Sequence, residues 1–473
     1  MAANKTQAHG ELHRGLKSRH VMLIALGGII GSCYFLGTGA VISQVGPGVF
    51  LAYILGGFIV YLTMLCMGEL AVAIPVSASF ITYAARFISP TFACGSGWSY
   101  WINWVVYIPA ECVAAGIIMH LFTGVNGYIW AVSFGLLITY INLASVRVFG
   151  EVEFWLALIK IFALIGFVVL SLLIFFGMIH TAHHVPAKIG TQYLMGNHGL
   201  FPHGGMSLLT AMVLLLVNYQ GSEIIGLTAG ESDEPARIIP KTIRRVMIRV
   251  LCLYIVPVFC LVLIFPWQKA GISNSIFSEA LNSYGFHWAG AIMSFVTLTA
   301  ALSCANSGFY AAVRALRSLA QEGMAPQFFA SLNKKCSPRY AVLATLVAIW
   351  TLLGAGFFFS QTSLYIALLL VSGFTGTVCW ISICWSQLSF RKQYVLEGND
   401  VKNLLYKTPW HPYTGIIAII LMSFCLLFLF FNEDITYRWA FIISAVNVLV
   451  PMGIYKIRLM SRGGARSLKL QNQ

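Results

Sequence analysis

Charge is what this sequence has least of. Only 9% of its 473 residues are Asp, Glu, Lys or Arg, whereas 59% are hydrophobic. Soluble globular domains carry about 25% charged residues, so that class is excluded. Acidic residues are scarcest, 15 against 29 Lys and Arg, for a net charge of +14. The basic residues fall between apolar runs and not on one compact face, which argues against a nucleic-acid partner. The eleven cysteines are scattered without a CxxC pair, so neither a disulfide framework nor a metal site is expected. No HExxH, Ser/His/Asp arrangement or nucleotide loop is present. A membrane enzyme is therefore not expected, and no cofactor is implied. The first 20 residues are polar and basic, unlike a cleaved secretory signal.

What the chain does have is long apolar runs. A helix crossing a bilayer needs about 20 such residues. Hydropathy marks twelve candidate spans, at 20–44, 48–74, 96–122, 126–145, 154–178, 204–229, 246–266, 287–311, 340–359, 362–388, 412–431 and 437–456. The expected fold class is an all-α polytopic membrane protein whose surroundings are the lipid bilayer. Segments 1–19 and 457–473 are left as polar tails, the second read as short, basic and irregular. Twenty-five of the 29 lysines and arginines fall on one set of intervening segments, and three (Lys188, Lys269, Arg438) on the other. By the positive-inside rule both termini are cytoplasmic, in the cell (inner) membrane. The histidines of His180-Thr-Ala-His-His184 sit on an external loop, read as a solvated surface with pH sensing as the sharper alternative.

Two spans are interrupted. In the first, Gly27-Gly28-Ile29-Ile30-Gly31-Ser32-Cys33 places small residues where leucine or valine would be the default. Each glycine weakens a helix by roughly 1 kcal/mol relative to alanine. One reading is a small-residue stripe for close helix packing. The other is a broken helix, whose freed N–H and C=O groups must be paired or must line a wet cavity. Span six repeats the feature with Asn218-Tyr219-Gln220-Gly221-Ser222-Glu223. Spans 1–5 (20–178) and 6–10 (204–388) then form two halves whose first helices are both broken, with 412–456 added behind. That pattern points to a secondary transporter of inverted repeats with its site at their interface. Freed amides favour a carboxylate and freed carbonyls an ammonium, which together suit an α-amino acid.

Several stretches carry a resemblance. SRHVMLIALGGIIG with FLGTG, LTMLCMGELAVAIPVSASF, GWSYWINWVVYIPAECVAAGIIM, FGEVEFWLALIKI, YQGSEIIGLTAGESDEP and LTAALSCANSGFYAAVRALRSLAQEGMAP follow one another along nearly the whole chain. They resemble a bacterial amino acid permease of the amino acid–polyamine–organocation (APC) superfamily, in its amino acid transporter branch. The resemblance implies a LeuT-like fold, with two inverted five-helix repeats plus two helices, and proton-coupled uptake. It implies that the amides of Ser32 and Cys33, beside Gly31, hold a substrate carboxylate. The carbonyls of Ile29, Val217 and Gln220 would hold the ammonium, with Tyr219 near an aromatic lid. Cys33 stands where the family usually has glycine, and Cys336 replaces another glycine in the loop after the eighth span.

Ionisable groups inside spans are functional candidates because their burial is costly. Lys160 lies about six residues into span five, roughly 9 Å deep at 1.5 Å per residue. It either snorkels to the headgroups or acts as a proton carrier. The resemblance implies that it bridges span five to the unwound part of span one and to span eight near Ser303. Glu111, mid-span in the third helix, either lines the substrate pocket or is a hydrogen-bonded structural acid. Glu223 is expected to hydrogen-bond freed amides or relay protons, with a purely structural role as the alternative. Glu69 is read as structural, in a cytoplasmic gate pair as the sharper version. Glu231, Asp233 and Glu234, beside Arg237 and Lys241, read as a solvated loop, or as a gating salt bridge.

The substrate is a small molecule. QGSEIIGLTAGESDEP and FRKQYVLEGNDVKNLLYKTP look closest to lysine, arginine or ornithine permeases, which favours a cationic amino acid over a neutral or aromatic one. An amino-acid sensor and a channel are the alternatives of other classes. Neither oligomeric state nor symport against exchange is legible.

Overall fold

The computed structural model describes residues 29–76, 79–143, 146–179, 189–195, 199–224, 235–271, 275–333 and 338–471. A five-residue π-helical turn, Cys33–Gly37, leads into α1 (Thr38–Val45). There follow α2 (Val49–Ala73), α3 (Ser79–Phe87), α4 (Pro90–Thr123), α5 (Gly127–Leu143), α6 (Val146–Phe175), α7 (Ile189–Met195) and α8 (Met206–Leu216). The second half holds α9 (Pro235–Ile264), α10 (Ile276–Asn282), α11 (His287–Gln321), α12 (Arg339–Ala355), α13 (Gln361–Leu396), α14 (Tyr413–Phe430) and α15 (Ile435–Gln471). No strand occurs among the described residues.

Among the described residues, nine helices are long and apolar enough to cross a membrane. Three shorter apolar stretches, Cys33–Val45, Gly127–Leu143 and Met206–Tyr219, fall where the sequence predicts spans one, four and six. Nine of the twelve expected spans thus meet that criterion among the described residues, and the other three coincide with the shorter stretches. Spans one and six fall short because each is interrupted and part of each lies outside the described residues.

Other boundaries move because hydropathy cannot see polar helix. The third span starts at Pro90 and not at 96. Ser89 is extended there, its side chain accepts from Phe92 N at 3.2 Å, and Pro90 takes the first helical position, where no N–H is needed. It ends at Gly124, whose φ of +67° lets its N–H return to His120 O. Helix α11 likewise runs ten residues beyond the apolar stretch, to Gln321. The tail expected to be irregular after Lys456 is instead the continuation of α15 to Gln471. Arg458, Arg462 and Arg466 recur there every four residues, a helical repeat that apolar counting misses.

Helix α4 is the axis of the bundle and packs most extensively against α11 and α13. It also approaches α5 at backbone distance. A Cβ on Gly116 would lie 2.3 Å from Gly127 O, so only glycine allows that contact. The outer helices turn apolar side chains outward, among them Phe162 on α6, Val347 on α12, Ile420 on α14 and Ile454 on α15. Such a surface is stable against acyl chains and not against water. Buried polar side chains lie on the inner faces, several of them beside the two interruptions.

Candidate functional site

The first interruption falls where the glycines place it. Ile29 is helical, Ile30 and Gly31 are not, and the chain re-enters helix at Ser32 before the π-helical turn. A π-helix is rare and is frequently found at functional sites. The groups released here are taken up by an acid and a base. Lys160 Nζ on α6 donates to Ile30 O at 2.9 Å and to Ser303 Oγ on α11 at 2.8 Å. Ser32 N donates to both carboxylate oxygens of Glu111 on α4, at 3.2 and 3.1 Å. Ile29 O accepts from Tyr254 OH on α9 at 2.9 Å. Gly31 is required between them, since a Cβ would stand 2.4 Å from Tyr107 OH and 2.5 Å from Glu111 Oε1.

The second interruption follows α8. The helix tightens into a 3₁₀ turn over Val217–Tyr219, Gln220 is extended, and Gly221 has φ +97°. Gly221 N donates to Glu223 Oε1 and Oε2 at 3.2 and 3.1 Å. The same carboxylate accepts from Tyr100 OH at 3.2 Å and Trp380 Nε1 at 3.1 Å. Both interruptions therefore offer a freed amide to a buried carboxylate. Tyr254 OH also lies 2.7 Å from Asn218 O, so its one proton is shared between a carbonyl of each break.

The site residues inferred from the sequence converge. Ile29, Ser32, Cys33, Glu111, Lys160, Val217, Tyr219, Gln220, Glu223 and Ser303 are all buried. Lys160 is fully buried and makes both expected contacts, to span one and to Ser303, so it does not snorkel in this conformation. Glu223 holds a freed amide, as expected. Other details differ. The Ser32 amide expected for a substrate carboxylate carries Glu111, because the third helix lies directly against the break. The carbonyls of Ile29 and Val217 are already hydrogen-bonded, to Tyr254 and to Gln220 N at 3.1 Å. The side chain of Gln220 turns to α13, donating to Ser372 O at 3.0 Å, while Ser372 Oγ approaches its Oε1 and Asn103 Oδ1 at 2.9 and 2.7 Å. Tyr219 is not a free lid: its OH donates to Tyr53 O at 2.7 Å, and its ring lies 5.0 Å from that of Tyr254.

Sequence reasoning missed Tyr254, Tyr100, Trp380 and Ser372. Each is an uncharged side chain within a span, a pattern that carries no signal without knowledge of its neighbours. The loop histidines His180, His183 and His184, the acids Glu231, Asp233 and Glu234, and Gly27 and Gly28 lie outside the described residues.

A separate polar cluster closes one end of the bundle. Glu69 near the end of α2 receives Arg391 of α13 in a two-pronged pair, with Nε to Oε1 at 2.7 Å and Nη2 to Oε2. The segment joining α13 to α14 folds over it. There Thr408 N donates to Glu69 Oε2 at 2.5 Å, and Thr408 Oγ1 to Leu65 O at 3.1 Å. The sequence named no partner for Glu69, and the structure pairs it with Arg391.

Apolar helices packed around buried charged side chains that meet two broken segments are the features of a multi-pass membrane carrier. The amino acid permease family model matches residues 20–462, and the chain belongs to that family, a branch of the APC superfamily. It is 41% identical over 426 residues to amino-acid permease RocC of Bacillus subtilis, covering 90% of each chain. It is 38% identical over 472 residues to RocE of the same organism, covering 99% of this chain and 100% of that one. It is 39% identical over 426 residues to the lysine-specific permease LysP of Escherichia coli, covering 88% and 86%. Amino acid transport, and not catalysis, is the activity of this family.

Proposed function

We propose that this protein is a proton-coupled permease that takes up a cationic L-amino acid. The observation that carries the coupling is Lys160, fully buried and bonded to Ile30 O and Ser303 Oγ. A lysine ammonium released into a dry interior loses its proton readily, whereas two acceptors hold it charged. Protonation therefore fastens α6 to the interrupted segment and to α11, and deprotonation releases them. That is a switch a proton gradient can drive. The substrate meets the interrupted segments at Ile29, Gly31, Ser32, Cys33, Val217, Tyr219 and Gln220, near Glu111, with Glu223 holding the second break in shape.

A cationic substrate is supported by the names of relatives that are lysine and histidine permeases. The LeuT-like arrangement, two inverted repeats plus two helices, is supported by the two matching interruptions. Cytoplasmic termini in the inner membrane are supported by the Lys and Arg asymmetry. The test is uptake of labelled L-lysine or L-arginine into proteoliposomes under an inward proton gradient, with each unlabelled amino acid as competitor. Competition by basic amino acids alone, and loss of accumulation with an uncoupler, are expected. Better competition by neutral or aromatic amino acids overturns the substrate, and accumulation that survives the uncoupler overturns the coupling.

A further inference from the structure

We propose that Glu111 is an internal stand-in for the substrate's α-carboxylate, occupying the Ser32 amide until an incoming carboxylate displaces it. This rests on the permease reading above. An amide at the start of a broken half-helix is an anion site. The anion on it here comes from the chain itself, from a residue 79 positions away. The seat is shielded while Glu111 holds it, because Gly31 packs against that carboxylate with no space for even a methyl group.

The amide's own grip is loose: one N–H is shared between two oxygens at 3.1 and 3.2 Å, longer than the roughly 2.7–2.9 Å of a strong charge-assisted bond. The Ser32 and Tyr107 hydroxyls also hold the carboxylate and stay beside it when the amide is given up. A substrate carboxylate that approaches Ser32 N end-on replaces it with no donor left unmatched. Around Glu111 stand Tyr107 of its own helix, Cys33 of the interrupted segment, Cys304 of α11, Tyr365 of α13 and Lys160 of α6. A displaced Glu111 stays among hydroxyls and one ammonium, so it leaves the amide without entering an apolar wall. Substrate entry then moves a negative charge relative to Lys160, which links occupancy to the switch proposed above.

The test uses the full-length protein purified in detergent, with binding of L-lysine, L-arginine and L-histidine measured on wild type and Glu111→Gln. Glutamine keeps the shape and an acceptor oxygen but removes the charge that competes. Binding of the amino acid should tighten roughly tenfold, the worth of about one charged hydrogen bond. L-Lysinamide, which has no carboxylate, should gain nothing. Unchanged or weaker amino acid binding overturns the proposal, and weakening confined to basic substrates would make Glu111 the partner of the cationic side chain. A second arm needs no substrate: Glu111→Ala should speed amide hydrogen exchange in the peptide containing Ser32, and an unchanged rate overturns the proposal. Failure of every amino acid to bind wild type would strike the permease substrate reading, while the exchange arm still decides the role of Glu111.

Discussion

The pair between Glu69 and Arg391 permits a prediction with a worked magnitude. Glu69 is 0% exposed and Arg391 8%, so neither charge is relieved by solvent. The perturbation is Arg391→Gln, which removes both prongs and leaves the carboxylate with Thr408 N as its donor. Breaking a buried pair from one side costs about 3–5 kcal/mol. The surviving bond to a charged acceptor is worth about 1.5–3 kcal/mol, so the lower end, about 3 kcal/mol, is expected. Adding Glu69→Gln removes the stranded charge, and the double variant should recover about 2 kcal/mol relative to the sum of the singles. The assay is thermal unfolding of the four proteins in one detergent, followed by intrinsic tryptophan fluorescence. The reasoning is refuted if Arg391→Gln melts with wild type, or if the two single effects simply add.

Lys160→Ala should abolish proton-driven accumulation in proteoliposomes while amino acid binding persists; full accumulation would remove Lys160 from the coupling. Glu223→Gln replaces one acceptor oxygen by a donor among three converging donors, so thermal stability should fall by about 1.5–3 kcal/mol, and an unchanged melting curve would contradict that geometry. Gly31→Ala should eliminate transport, because its Cβ meets Tyr107 OH and Glu111 Oε1 at 2.4 and 2.5 Å; wild-type uptake would show that this contact is not needed. Burial, and next the positive charge of Arg391, hold the His411 imidazole below its ordinary value near 6.5. Such a histidine is neutral when folded, and the unfolded chain binds the extra proton. Its contribution is thus present above pH 6.5 and lost as pH falls through the depressed value. Wild-type melting temperature should decline across that window, and His411→Gln should flatten part of the decline.

Much of the site was legible because the bilayer punishes exceptions. A glycine or a charge in an apolar run is conspicuous, and Gly31, Glu111, Lys160 and Glu223 were found that way. Their depth along the helix follows from residue counting. Helix extensions were not legible, because polar helix outside the hydrocarbon looks like loop to hydropathy; α11 and α15 both ran past their apolar stretches for that reason.

The sequence alone determined the class of the molecule, the approximate places of its helices and the two points where they break, since these depend on local composition against a slab of fixed thickness. The tertiary structure decided which groups meet. Glu111 reaches Ser32 across 79 residues, Tyr254 reaches Ile29 across 225, and Arg391 reaches Glu69 across 322. Those pairings depend on which helices lie side by side and how each is rotated about its axis. Both are settled by the packing of the whole bundle, which no local stretch of sequence encodes.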